Sequence, residues 1–109
     1  MWIFLSDAFL SIVDKGGDGS TLLVRARKPE DIKRVFPDAD VSKGGGTDYL
    51  YRARIDREQV AQRIAVAVRQ TTYPNFKSSV KERRRHHAYM RVWDAMYEYQ
   101  EDSRRHDDA

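Results

Sequence analysis

Two short segments, TLLVRAR at residues 21–27 and YLYRARI at residues 49–55, alternate apolar with mostly basic positions, and this period of two constrains the fold most. In the first, Leu22, Val24 and Ala26 alternate with Leu23, Arg25 and Arg27; in the second, Tyr49, Tyr51, Ala53 and Ile55 alternate with Leu50, Arg52 and Arg54. Successive side chains of a strand point to opposite faces, so each segment needs one covered face and turns basic on the other. The chain must therefore supply helices to cover a sheet.

The opening MWIFLSDAFLSIV is rich in aromatic and β-branched residues, as strands are. It lacks the basic start and small-residue cleavage site of a secretory signal, and Asp7 interrupts it. It is also too short to span a bilayer, which takes about twenty apolar residues. Two strand pieces broken near Ser6-Asp7 are expected, the second forming a hairpin with residues 21–27 across the turn GGDGS.

Helix signals follow. In KPEDIKRVF, Pro29 suits a first helical turn, Glu30 and Asp31 suit the positive end of the dipole, and Ile32, Val35 and Phe36 share a side. Pro37 ends that helix. After PDADVSKGGGTD, with a possible short strand around residues 39–42 and a flexible glycine loop, Asp56 and Gln59 form a capping-box pattern, with Ile55 and Val60 placed as a hydrophobic staple. The helix they start should run to about Thr71. TYPN breaks it, because Pro74 restricts Tyr73 to extended geometry. A long amphipathic helix begins near Phe76, with Tyr89, Val92, Trp93, Met96 and Gln100 in helical period. The expected fold is α+β: a small, mostly antiparallel sheet with helices on one face, ferredoxin-like or a related two-layer sandwich. Residues 1–100 are expected to form one domain, and EDSRRHDDA, residues 101–109, a polar, frayed tail.

The 109 residues are 40% hydrophobic and 34% charged, with twelve aromatics, and can bury a core. With no cysteine, disulfides and thiolate metal sites are excluded, which fits a cytoplasmic location. Net charge is +3, and the basic excess lies in the second half: residues 1–50 carry seven basic and eight acidic groups, residues 51–109 thirteen and nine. That excess permits an acidic partner without requiring one.

No motif assigns catalysis. GGDGS and KGGGTD lack the P-loop lysine and the dinucleotide fingerprint, so no cofactor is expected. His86 and His87 are adjacent and point about 100° apart on a helix. Glu82 and His86 make at most half a metal site, and His106 falls in the expected tail, so no metal is expected either. Asp48, Tyr49, Tyr51 and the histidines show no spacing that joins nucleophile, base and orienting group. Asp7 reads as an exposed turn residue, functional only if the fold sets it beside Asp48, Arg52 or Lys77.

The basic residues carry more. Arg25, Arg27, Arg52 and Arg54 would form an anion-binding strip if they converge on an uncovered sheet face, joined by Arg83, Arg84 and Arg85 at the start of the last helix. The plainer reading is that they solvate a sheet face and a helix surface. Tyr49 and Tyr51 are expected on the core side, which argues against base stacking on the sheet. The stripe Tyr89, Trp93, Met96 reads as core, leaving Tyr97 and Tyr99 as candidates for a partner interface.

Taken together, MWIFLSDAFLSIV, LLVRAR, DIKRVFP, TDYLYRARI, TYPNFKSSV and YMRVWDAMY resemble an uncharacterised family of small bacterial proteins, some in phage or prophage settings. The resemblance covers roughly residues 1–99. It implies a compact cytoplasmic domain and carries over no catalytic residue or cofactor. The expected function is a non-enzymatic binding or regulatory protein that contacts another protein; the phage setting suggests an inhibitor of host machinery carried by a mobile element, of which the anti-CRISPR type is one form. Nucleic-acid binding through the arginines is the alternative, and no membrane contact is expected.

Overall fold

The computed structural model describes residues 1–44 and 48–107. These divide into two compact units, Met1–Thr72 and Tyr73–Ala109.

The first unit is built on strands β1 (Trp2–Leu5), β2 (Ala8–Val13), β3 (Thr21–Ala26), β4 (Ser42–Lys43) and β5 (Tyr51–Asp56), with helices α1 (Pro29–Val35) and α2 (Arg57–Arg69). The break at Ser6-Asp7 is the turn between β1 and β2. The strands form one open sheet in the order β1-β2-β3-β5-β4, antiparallel at every pairing. A ferredoxin-like βαββαβ order would put crossover-connected parallel strands in the sheet. This sheet has none, and the protein is the related small α+β sandwich.

Alternation places Leu10 and Ile12 of β2, Val24 and Ala26 of β3, and Ala53 and Ile55 of β5 on one face. Ile32 and Phe36, from α1 and its end, and Val60 of α2 complete the buried cluster with them. Both helices of this unit thus pack on one side of the sheet. Phe36 and Ile32 are fully buried, so truncating either to alanine would cost several kcal/mol, on the order of 2–5. Pro29 sits in the first turn of α1. The α2 cap forms as its sequence specifies, with the Gln59 amide donating to Asp56 Oδ2 at 3.3 Å.

GGDGS makes the hairpin turn. Asp18 Oδ1 accepts from the Ser20 amide at 2.9 Å and from the Ser20 hydroxyl at 2.6 Å. Arg57, the first residue of α2, clamps the turn from outside, donating to the Gly19 carbonyl at 2.8 Å and to Asp14 at 2.7 Å. The flexible loop expected at KGGGTD falls mainly on residues 45–47, outside the described residues.

In the second unit, α3 (Phe76–Ser79) precedes α4 (Arg83–Asp107). Asn75 caps α3, accepting from the Ser78 amide at 3.2 Å. Glu82 caps α4 with both carboxylate oxygens, accepting from the amides of Arg84 at 2.9 Å and Arg85 at 2.7 Å. These caps explain why the last segment is two helices rather than one: the chain stops and restarts at residues 80–82. Where a frayed tail was expected, α4 continues through residues 101–107. Arg104 pairs with Glu101 and Arg105 with Asp102 at i,i+3 spacing, which supports the last turns. No described helix is long and apolar enough to cross a membrane.

Asp31 differs from its sequence reading. It is only 2% exposed, and its Oδ2 accepts the amide of Phe9 at 3.0 Å. The β2–β3 register pairs Ser11 with Arg25, so Phe9 would oppose Arg27, beyond the end of β3. Asp31 supplies the acceptor that the departing strand withdraws. Arg34 lies 3.6 Å from Asp31 Oδ1 and donates to the Asp7 carbonyl at 2.6 Å, tying the β1–β2 turn to α1.

Replacing Asp31 with alanine should lower stability by about 1–3 kcal/mol in urea unfolding, because a buried amide loses its acceptor. Acid should loosen the hairpin turn. Hydrogen bonds from the Ser20 side chain and then its backbone hold Asp18 below its ordinary pKa. A depressed carboxylate stabilises fully above its unfolded pKa and loses that contribution as pH falls through the folded value. Protection of the Ser20 amide, its exchange rate compared with the intrinsic rate at the same pH, should therefore fall only in that acidic window, and Ser20→Ala should shrink the effect.

Candidate functional site

Register brings the four strand arginines to one face. Arg25 opposes Arg52, and Leu23 opposes Arg54, while Arg27 follows Arg25 by two residues. They do not form an open strip, because internal contacts engage them. The guanidinium of Arg25 lies 4.7 Å and that of Arg27 4.1 Å from the centre of the Tyr49 ring. Arg25 also donates to the Ser11 hydroxyl at 2.7 Å. Arg27 pairs with Asp48 at 3.0 Å, and that hydrogen bond is the main cause holding the guanidinium above its ordinary pKa. Arg54 donates to the Lys15 carbonyl at 2.8 Å and the Thr21 hydroxyl at 3.2 Å.

Tyr49 thereby corrects the expectation that it faces the core with Tyr51. Residues 48–50 bend before β5 begins at Tyr51, so alternation does not extend back to them. Tyr51 does pack against the core cluster. Tyr49 is buried beneath the arginines instead, and Leu50 is exposed. Cation–π contact and burial hold the tyrosine where period-two counting could not place it.

The candidates on α4 divide. Arg83 and Arg84 are exposed and Arg85 is half-buried, with Arg85 donating to the Tyr89 hydroxyl at 3.3 Å. Glu82 is the helix cap, so it is not poised with His86 for a metal. No group of three or more potential metal ligands occurs among the described residues. Asp48 is tied to Arg27, and Asp7 is an exposed turn residue whose carbonyl, rather than its carboxylate, makes the contact with Arg34.

The aromatic stripe is the larger surprise. Phe76 of α3 stacks on Tyr89 at 5.8 Å and Lys77 lies 4.6 Å from the centre of the Trp93 ring. A four-residue helix is only about 6 Å long, so α3 covers no more than this first part of the stripe. Beyond it Trp93 is 46% exposed, Met96 57% and Tyr99 67%. Tyr97, expected on a separate face, stacks on Trp93 at 5.4 Å with rings 12° apart. Val92 and Tyr99 flank the stripe on one side, while Asp94, Glu98 and Asp102 fall on the far side of the helix at 100° per residue. The result is a contiguous apolar face bordered by polar surface. The missed signal was the brevity of the helix before it: four residues between two caps cannot cover a helix of 25 residues, about seven turns.

A small α+β sandwich unit and a helical unit bearing an uncovered aromatic face define the class of this protein. No family model, curated protein or solved structure matches the chain.

Because Tyr99 and Met96 are exposed, Tyr99→Ser and Met96→Ser should each change unfolding free energy by less than about 0.5 kcal/mol. A larger loss in thermal or urea unfolding would show that the face is structural.

Proposed function

We propose that the protein acts by binding rather than by catalysis, as a small module that docks a partner protein on the α4 face formed by Val92, Trp93, Met96, Tyr97 and Tyr99. The observation that carries this reading is the exposure of that face. Tryptophan, tyrosine and methionine are enriched at protein interfaces, where a rigid ring buries a large area at small entropic cost. Contiguous exposed apolar surface on a small chain is itself a mark of an interaction site. Inhibition of host machinery by a protein of a mobile element is the biological form we attach to this reading, and its support is the family resemblance alone. Nucleic-acid binding through Arg25, Arg27, Arg52, Arg54 and the Arg83–Arg85 cluster draws less support, because Tyr49, Asp48, Ser11 and Thr21 already engage three of the strand arginines.

The test is site-specific photo-crosslinking in host cells. A photoreactive residue at position 96 or 99 should give one reproducible protein adduct and the same group at Asp94, on the far side of α4, should not, while at Arg84 it reports any nucleic acid bound. Absence of protein adducts at both 96 and 99, or a nucleic-acid adduct at 84, would overturn the proposal.

A further inference from the structure

The arginine side of the sheet holds a groove of about 410 Å³ that crosses β3, β5 and β4. We propose that it binds a small phosphate monoester, a site independent of the α4 face. Its size lies within the range of small-ligand pockets. Leu23 supplies apolar lining, Lys15 and Gly16 enter from the β2–β3 turn, and Asp40 and Ser42 enter from the β4 side.

Charge sets the ligand class. Three cations, Lys15, Arg52 and Arg54, and one carboxylate, Asp40, line the groove, a formal balance of +2 (three minus one). Among the described residues, the Lys15 ammonium and the Asp40 carboxylate have no ion-pair partner. Arg54 is fixed in place. Its bonds to the Lys15 carbonyl and the Thr21 hydroxyl use two of the five N–H donors of a guanidinium. It also rests against the glycine turn: a Cβ on Gly17 would come within 3.2 Å of Nη1, and one on Gly16 within 3.4 Å of Nη2. Gly16 has φ +71, a conformation side chains resist. The paired glycines therefore let a guanidinium sit at the groove with donors to spare.

A preset guanidinium and an ammonium without an ion-pair partner are two different donors around one space, and the Ser42 hydroxyl, which donates to the Arg52 carbonyl at 3.5 Å, lines its edge. A phosphate monoester offers three terminal oxygens and up to two negative charges to such a set, and its organic group can lie against Leu23. A phosphodiester within a nucleic acid has only two terminal oxygens and one charge. Asp40 would also repel the rest of a polyanion passing over the rim.

Phenyl phosphate titrated into the isotope-labelled full chain is the test. Saturable amide shifts at Gly16, Leu23, Ser42 and Arg54 are expected by about 10 mM, a weak fragment affinity. Phenyl sulfate, a monoanion of similar shape, should bind several-fold more weakly. Lys15→Gln should weaken phenyl phosphate about fivefold, and Asp40→Asn should tighten it about twofold, both being exposed positions where folding is not at risk. Arg54→Lys should weaken it more, although that variant also loosens the hairpin. The proposal is overturned by no saturable shift, by equal affinity for the sulfate, by shifts confined to Arg83–Arg85, or by an Asp40→Asn variant that fails to bind more tightly.

Discussion

The antiparallel pairing of Thr21–Ala26 with Tyr51–Asp56 is the contact on which the first unit depends. It aligns Leu22 with Ile55, Val24 with Ala53 and Ala26 with Tyr51 on the covered side, so the two alternating patterns add into one apolar surface for α1 and α2. The same register sets Arg25 directly across from Arg52. Like charges at that separation repel, and the fold answers with an acceptor and a π face: the Ser11 hydroxyl for Arg25, and the Tyr49 ring beneath both Arg25 and Arg27. Asp56 closes β5 and opens α2 in a single residue, which places Arg57 to clamp the hairpin turn. One pairing thus positions core, arginine face, helix start and turn.

The two units handle exposed surface differently. In the sheet unit, arginines that look available from sequence are held by neighbours, and what remains open is a groove with a fixed guanidinium at its side. In the helical unit, Trp93, Met96 and Tyr99 remain exposed because α3 is too short to reach them. Stability explains the first arrangement in part, since a half-buried guanidinium such as that of Arg25 needs partners. It does not explain the second, because an uncovered aromatic face adds nothing to the fold of the isolated chain. That asymmetry is why the binding reading rests on α4.

Residue patterns made much of this legible. The period-two segments, the break at Ser6-Asp7, Pro29 in the first turn and the Asp56 cap are all local signals, and each is found where its physics requires. Legibility failed at Tyr49, Asp31 and the aromatic stripe. Bends at residues 48–50 reverse the side on which Tyr49 lies, and no count along the chain registers a bend. Asp31 has the composition of an ordinary first-turn carboxylate. Its burial follows from β3 ending one residue short of the position opposite Phe9, a matter of register between distant segments.

The sequence by itself determined the elements of the sheet unit, their order and the fact that the sheet needs a covered face, because helix caps, proline geometry and side-chain alternation act within a few residues. Only the tertiary structure decided which polar groups are spent on the fold and which surfaces are left over. Four arginines converge yet are largely occupied, and a stripe that reads as core lies open. Occupancy and exposure depend on what packs against a residue from elsewhere in the chain, and periodicity marks a face as apolar without saying whether anything arrives to cover it.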